Sequence, residues 1–401
     1  MLPKDEVFLE IESLALSGEG VAKRDGLVFF VDGALPGEEV RSEVTKVEKN
    51  LIRAKTVGIL RKSPDRIDPL CKHFGDCGGC SFQHLKYEKQ LEIKRDELTQ
   101  MFKHLGGFSD VKVEPVIPSP KPFHYRNSVA MSVREQAGTP YFGFIGKDNR
   151  SFITVENCPI TEERINELFS HVKDRFKEHV PEKKRYQTSQ IVIRAGTDGK
   201  FYTSIKKHPE SSKALRADVF GKSFQYAGSA FFQVNYSILD KFVGAVKESL
   251  NPAKDSHLLD LYCGVGFFSI CLAQFYKTVS GIEEGEDAIQ FANENAKANK
   301  VQNAQFIAGR TEDVLGKKEF VFQKMHVIID PPRVGMKREV IEFLLKMNQI
   351  EKIVYVSCNP ATLIRDLQIL SERFQIAKVQ PLDMFPQTQH LEVLTLLLPK
   401  I

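Results

Sequence analysis

The chain has 401 residues, 42% hydrophobic and 10% aromatic, enough to bury substantial cores and to divide into two or three domains. Its net charge of +4 is mildly basic, which permits a nucleic-acid partner without demonstrating one. No stretch approaches the roughly 18 consecutive apolar residues of a membrane span, and the acidic start MLPKDEVFLE is unlike a signal peptide, so a cytoplasmic protein without membrane partners is expected.

Residues 6 to 58 read as short strands, "VFLEIESLAL", "GVAKRDGLVFFVDGAL", "GEEVRSEVTKVEKN" and "LIRAKTVGIL", punctuated by glycines. Short strands with Gly-rich turns predict a small OB-like β-barrel. Lys23, Arg24, Lys46, Lys49, Arg53 and Lys55 make it a candidate for RNA backbone contact, against the plainer reading of a solvated surface. "RKSPDRIDP" then reads as a linker, and residues to about 250 as an α+β domain with a helix near 84 to 104.

That central region opens with "CKHFGDCGGC", in which Cys71, Cys77 and Cys80 have the spacing C-x5-C-x2-C, and "ENCPI" adds Cys158. In a chain with seven unevenly spaced cysteines, metal or catalytic use is favoured over a disulfide framework. Four thiols fit either structural zinc or an iron–sulfur cluster.

From about residue 257 strand and helix alternate, which predicts a doubly wound parallel sheet. "DLYCGVG" carries G-x-G at a strand-to-helix turn, where backbone N–H groups can meet a ligand. Ser269 stands in place of the third glycine of a dinucleotide fingerprint. Glu283 closes the next strand, "TVSGIE", where a carboxylate can accept from both ribose hydroxyls of an adenosine, so the pair favours S-adenosylmethionine over NAD. Asp330 ends an apolar strand in "IIDPPR", and Cys358 ends another in "IVYVSCNPAT". A thiol there can add to an electron-poor ring carbon. Glu392, nearly the only charge in "QHLEVLTLLL", is a candidate general base, its pKa raised by desolvation. Cys263 and Cys271 read as small buried hydrophobes.

With "FFQVN", "LDLYCGVG", "IIDPPR", "VYVSCNPATLIRD" and "DMFPQTQHLE", the chain resembles, over almost its full length, the S-adenosylmethionine-dependent RNA 5-methyluridine (uracil-C5) methyltransferases. The resemblance implies an N-terminal TRAM barrel over 1–60, a central iron–sulfur domain over 61–250 and a Rossmann-like methyltransferase domain over 251–401. It implies cofactor or base contacts from Gln233, Tyr262, Glu283 and Asp330, Cys358 as nucleophile and Glu392 as base. It also implies a 4Fe–4S cluster on Cys71, Cys77, Cys80 and Cys158. Many members have Asn after "CGVG"; Phe267 stands here, which puts that cofactor contact in doubt.

The implied reaction adds Cys358 to uracil C6, methylates C5 and removes the C5 proton with Glu392. The uridine would be splayed out and stacked on Phe231, with Arg126 on phosphate. Barrel and cluster together resemble the branch acting on 23S ribosomal RNA; the tRNA T-loop uridine is the alternative. A non-catalytic RNA-binding protein with a decayed methyltransferase fold, or a DNA or free-nucleotide enzyme, are the rivals. A monomer is the simplest default.

Overall fold

Residues 6–61 form one sheet, its strands burying hydrophobic side chains at alternate positions. Strands β1 (Glu6–Glu10), β2 (Ser13–Leu14), β3 (Gly20–Arg24), β4 (Leu27–Asp32), β5 (Glu39–Val47) and β6 (Leu51–Arg61) take the order β1-β5-β6-β4-β3-β2. β1 also packs on β3, curling the sheet around Val7, Leu9, Phe29, Val31, Val40 and Ile52. The predicted strand through "KRDGLV" is really two, joined by a turn at Asp25 and Gly26, both left-handed at φ 53° and 77°. The computed structural model describes residues 2–136, 139–170, 189–205, 208, 210–317, 320 and 322–400. Among these, no helix is long and apolar enough to cross a membrane.

Helix α1 (Tyr87–His104) follows the cysteine-rich loop. Strands β7 (Ser128–Gln136), β8 (Thr139–Ile145), β9 (Phe152–Thr154), β10 (Ser189–Ala195) and β11 (Phe201–Thr203) form an antiparallel sheet of order β11-β10-β7-β8-β9 with its own core. Then come the hairpin β12 (Ala214–Val219) and β13 (Lys222–Ala227) and helix α2 (Leu239–Leu250).

The last part is a seven-stranded sheet, β14 (His257–Leu261), β15 (Thr278–Glu283), β16 (Ala304–Ala308), β17 (Met325–Ile329), β18 (Ile350–Ser357), β19 (Phe374–Leu382) and β20 (Glu392–Pro399). Helices α3 (Phe267–Leu272), α4 (Glu286–Ala298), α5 (Thr311–Lys317), α6 (Arg338–Lys346) and α7 (Pro360–Leu370) connect its strands. The order is β16-β15-β14-β17-β18-β20-β19. β14 to β18 are parallel, but β20 is antiparallel to both its neighbours, so the all-parallel expectation is corrected there. β19 is not among the sequence-predicted strands.

Segments from before residue 251 cover both faces of this sheet. Hairpin β12–β13 and α2 share a core with α3 and α4, while Leu98 and Phe102 of α1 enter the core on the other face. Phe267 is turned into the first of these, against Phe224 and Phe232 at 5.8 and 5.9 Å between ring centres.

Candidate active site

The strand order reverses between β14 and β17, and in open α/β sheets ligands bind at the carboxyl ends of strands at such a switch point. Leu261 pairs with Ile282 on one side and Ile329 on the other, so the next residues, Tyr262, Glu283 and Asp330, come out side by side. Gly264 and Gly266 are left-handed at φ 53° and 81°, and a Cβ on Gly266 would meet Ile270 at 2.9 Å. The turn aims the Gly264 N–H at the Glu283 carboxylate, at 3.2 Å, and the Gly285 N–H reaches its other oxygen at 3.0 Å. Tyr262, itself at φ 64°, is half-buried, and burial pushes its hydroxyl up to about 12.

Beneath this turn lies Asp260, fully buried, which the sequence reading did not single out. One of its oxygens accepts from the Ser269 N–H at 3.0 Å and from its hydroxyl at 2.6 Å. Burial pushes Asp260 up to about 7, with a smaller push from Glu283. Asp330 is likewise raised to about 7, by burial first and then by Asp260.

Two strands further along, the register brings thiol and carboxylate together. Ser357 of β18 pairs with Val393 of β20, so Cys358 and Glu392 stand next in line across the antiparallel pair. The chain turns sharply after the thiol because Asn359 caps α7, its side chain accepting from the Ala361 N–H at 3.2 Å, and Pro360 sits in the first turn. The Arg333 loop lies on this turn: its carbonyl accepts from the Asn359 side chain at 3.0 Å and the Thr362 hydroxyl at 3.1 Å. Burial raises the Cys358 thiol pKa, Glu392 and Asp330 raise it further, and the Arg333 guanidinium opposes them through charge and a hydrogen bond. Glu392 is 5% exposed and raised well above the carboxylate range by burial and then by Asp330. A cavity of about 320 Å³ opens beside Cys358, Arg333 and His390.

"FFQVN" and "DMFPQTQHLE" meet at the same edge. Asn235 donates to the Met384 carbonyl at 3.2 Å, Tyr125 to the Pro386 carbonyl at 3.1 Å, and Asn127 to the Gln233 carbonyl at 2.9 Å. Phe231 is 74% exposed, available to a stacking partner. Arg126 is half-buried, its guanidinium donating to the Ser128 carbonyl at 2.9 Å, within electrostatic reach of His390. On the N-terminal sheet, Lys46 and Arg53 are paired with Glu48 and Glu19.

Cys71, Cys77, Cys80 and Cys158 are free thiols, and burial first, then neighbouring thiols, raises Cys77, Cys80 and Cys158. Burial pushes Cys80 up to about 12, and the other three push it in the same direction. Among the described residues, no group of three or more His, Cys, Asp or Glu side chains is arranged to hold a metal ion. Cys263 and Cys271 are buried, apart from this group.

The family model described as tRNA (Uracil-5-)-methyltransferase matches residues 212–400. A protein named as an uncharacterized RNA methyltransferase of Clostridium acetobutylicum is 32% identical, the match covering 96% of this chain and 95% of the relative. One of the same description from Oceanobacillus iheyensis is 33% identical, with 97% and 96% covered. The chain belongs to the RNA uracil-5-methyltransferase family. The solved structure of Pyrococcus abyssi tRNA (uracil-54, C5)-methyltransferase in complex with S-adenosyl-L-homocysteine superposes with a TM-score of 0.76. It shows 28% identity over 98% of this chain and 99% of that one. The chain is therefore an S-adenosylmethionine-dependent RNA uracil-5-methyltransferase whose C-terminal sheet is the Rossmann-like catalytic fold.

Two expectations for the methyltransferase follow from its charges. A carboxyl with a pKa of about 3.9 unfolded and about 7 folded stabilises the fold fully at low pH and loses that contribution as pH rises through 7. Asp330→Asn should flatten the fall in melting temperature between about pH 4 and pH 7; a slope equal to wild type would refute a proton held there. Arg333→Gln removes the cation beside Cys358, so the pH midpoint of Cys358 alkylation, followed on its peptide by mass spectrometry, should move upward. Each unit of that shift leaves about tenfold less thiolate at neutral pH, and an unmoved midpoint would deny Arg333 the role. Arg333 was legible only as part of "DPPR"; the fold brings it to the thiol.

Proposed function

We propose that the enzyme methylates C5 of a specific uridine in 23S ribosomal RNA by covalent catalysis, with Cys358 as nucleophile and Glu392 as base. The observation that carries this reading is the meeting of Cys358, Glu392, Asp330 and Arg333 at the sheet edge beside the Glu283 and glycine turn. Bound S-adenosylmethionine supplies an electrophilic methyl group on its sulfonium sulfur. Glu283, with its oxygens fixed by the Gly264 and Gly285 N–H groups, suits the ribose, and Gln233, Tyr262 and Asp330 suit the rest of the cofactor or the base. The Cys358 thiolate bonds to uracil C6, and the electron pair displaced toward O4 makes C5 nucleophilic. C5 would then be able to take the methyl group that the bound cofactor supplies, the bond between the methyl carbon and sulfur breaking to leave a neutral thioether. The Glu392 carboxylate takes the C5 proton, the C6–sulfur bond breaks, and the thiolate leaves. Phe231 would stack on the extruded base and Arg126 would hold phosphate, with residues 1–60 acting as a TRAM-type RNA-binding barrel.

A second acceptor, the tRNA T-loop uridine, is favoured by one observation. The Pyrococcus abyssi enzyme shares the architecture over 98% of this chain, and its name gives tRNA as substrate. Architecture alone therefore does not separate the two RNAs. Mass-spectrometric mapping of 5-methyluridine in cells lacking the gene separates them: loss at large-subunit uridines supports the first reading, and loss in the tRNA T-loop replaces it with the second.

The family resemblance implies a 4Fe–4S cluster on Cys71, Cys77, Cys80 and Cys158, and four free thiols from two loops are a ligand set that such a cluster can use. Anaerobically purified protein should contain iron and acid-labile sulfide, and Cys80→Ala should lose both; protein with neither would end this assignment.

A further inference from the structure

Helix α1 presents Gln90, Lys94 and Leu98 four residues apart on its buried face, and the first two are polar. Lys94 is completely buried and ion-paired at 2.7 Å with Asp383, also completely buried. Its ammonium also donates to the carbonyls of Phe385 at 3.2 Å and His390 at 3.0 Å. All three donors are thus spent on one segment, the residues 383 to 390 that run up to Glu392. Gln90 takes hold of the middle of that segment: its amide donates to the Gln387 side chain at 3.0 Å, and its oxygen accepts from the Gln387 N–H at 3.2 Å.

We propose that Lys94 is a positioning residue for methyl transfer. Paired with Asp383, it ties the Phe385 and His390 carbonyls to α1 and so delivers Glu392 beside Cys358. The inference rests on the reading of Glu392 as the base. Its physical content is that a buried ammonium with three fixed acceptors is costly unless all three stay in place, so the segment has one arrangement rather than several. The cavity beside Cys358 is lined by Lys94, His390 and Leu391 together, so slack in this anchorage would be felt where the base must meet the C5 proton.

Lys94→Met alone strands a buried carboxylate and is expected to melt far below wild type. The decisive protein is therefore Lys94→Met/Asp383→Asn, which removes both charges and should recover most of the melting temperature. It still lacks the donors to the Phe385 and His390 carbonyls. Turnover is expected to fall at least about tenfold, with kcat/KM for RNA nearly unchanged because the slowed step follows methyl transfer. A denaturant-stable adduct carrying the methylated uridine should accumulate, because methyl transfer outruns removal of the C5 proton. Glu392→Gln serves as the reference. If Glu392→Gln traps the adduct and the double variant turns over like wild type, or loses turnover without accumulating adduct, the inference is overturned and the proposed function stands. If Glu392→Gln traps nothing, the role of Glu392 falls, and this inference with it.

Discussion

Cys358→Ala is expected to abolish methyl transfer, lowering the single-turnover rate on the order of 10⁴-fold or more. Uracil C5 is too weak a nucleophile to attack the methyl donor until a group adds at C6. Within the site, Cys358 is the thiol at the carboxyl edge, held there by the Asn359 cap and the Arg333 loop. Cofactor affinity should stay near wild type, since the turn that would hold the cofactor lies on β14 and β15, two to three strands away. Transfer of a labelled methyl group under single-turnover conditions, with cofactor binding measured in parallel, checks both halves. Methylation within tenfold of wild type would sink the covalent scheme, whichever RNA is the substrate.

Glu392→Gln is expected to lower turnover by about 10² to 10⁴-fold and to trap a covalent RNA–protein adduct whose mass includes the transferred methyl group. Addition and methyl transfer need no base at C5, so they proceed, and elimination does not. The pH behaviour should split in a way that identifies the carboxylate. Glu392 must be ionised to act, and its pKa is raised by burial and by Asp330, so wild-type turnover should keep climbing with pH above the ordinary carboxylate range. The Glu392 charge also pushes the Cys358 thiol up, so removing it should shift the pH midpoint of adduct formation downward. An adduct midpoint that stays or rises would show that the two groups do not share the site.

Which signals were legible in the sequence follows from how far each depends on distant chain. "DLYCGVG", "TVSGIE", "IIDPP" and "IVYVSCNP" each put a polar residue at the end of an apolar run, a local pattern, and the structure places each at a strand's carboxyl end. β19 was harder to see, because Lys378 and Gln380 interrupt its apolar positions and the register shifts between Ile376 and Lys378. Asp260 reads as one more residue of a strand until burial and Ser269 show it to be a support for the glycine turn. Arg333 sits in a quoted motif, yet its bearing on Cys358 depends on two loops from neighbouring strands stacking.

By itself, then, the sequence determined the kinds of element, the order of the chemistry along the chain and the family, because alternation, glycine turns and strand-end polar residues are read within ten or so positions. The tertiary structure decided the rest. Glu392 is near the N-terminus of its strand, where a parallel strand would put it at the wrong edge of the sheet. Because β20 runs antiparallel between β18 and β19, that end lies beside Cys358. The same holds for Lys94 and Asp383, 289 residues apart, whose pairing exists only once α1 packs across the catalytic sheet. A charge pair at that separation leaves no periodic trace in sequence, since what selects it is the cost of leaving either partner alone in the core.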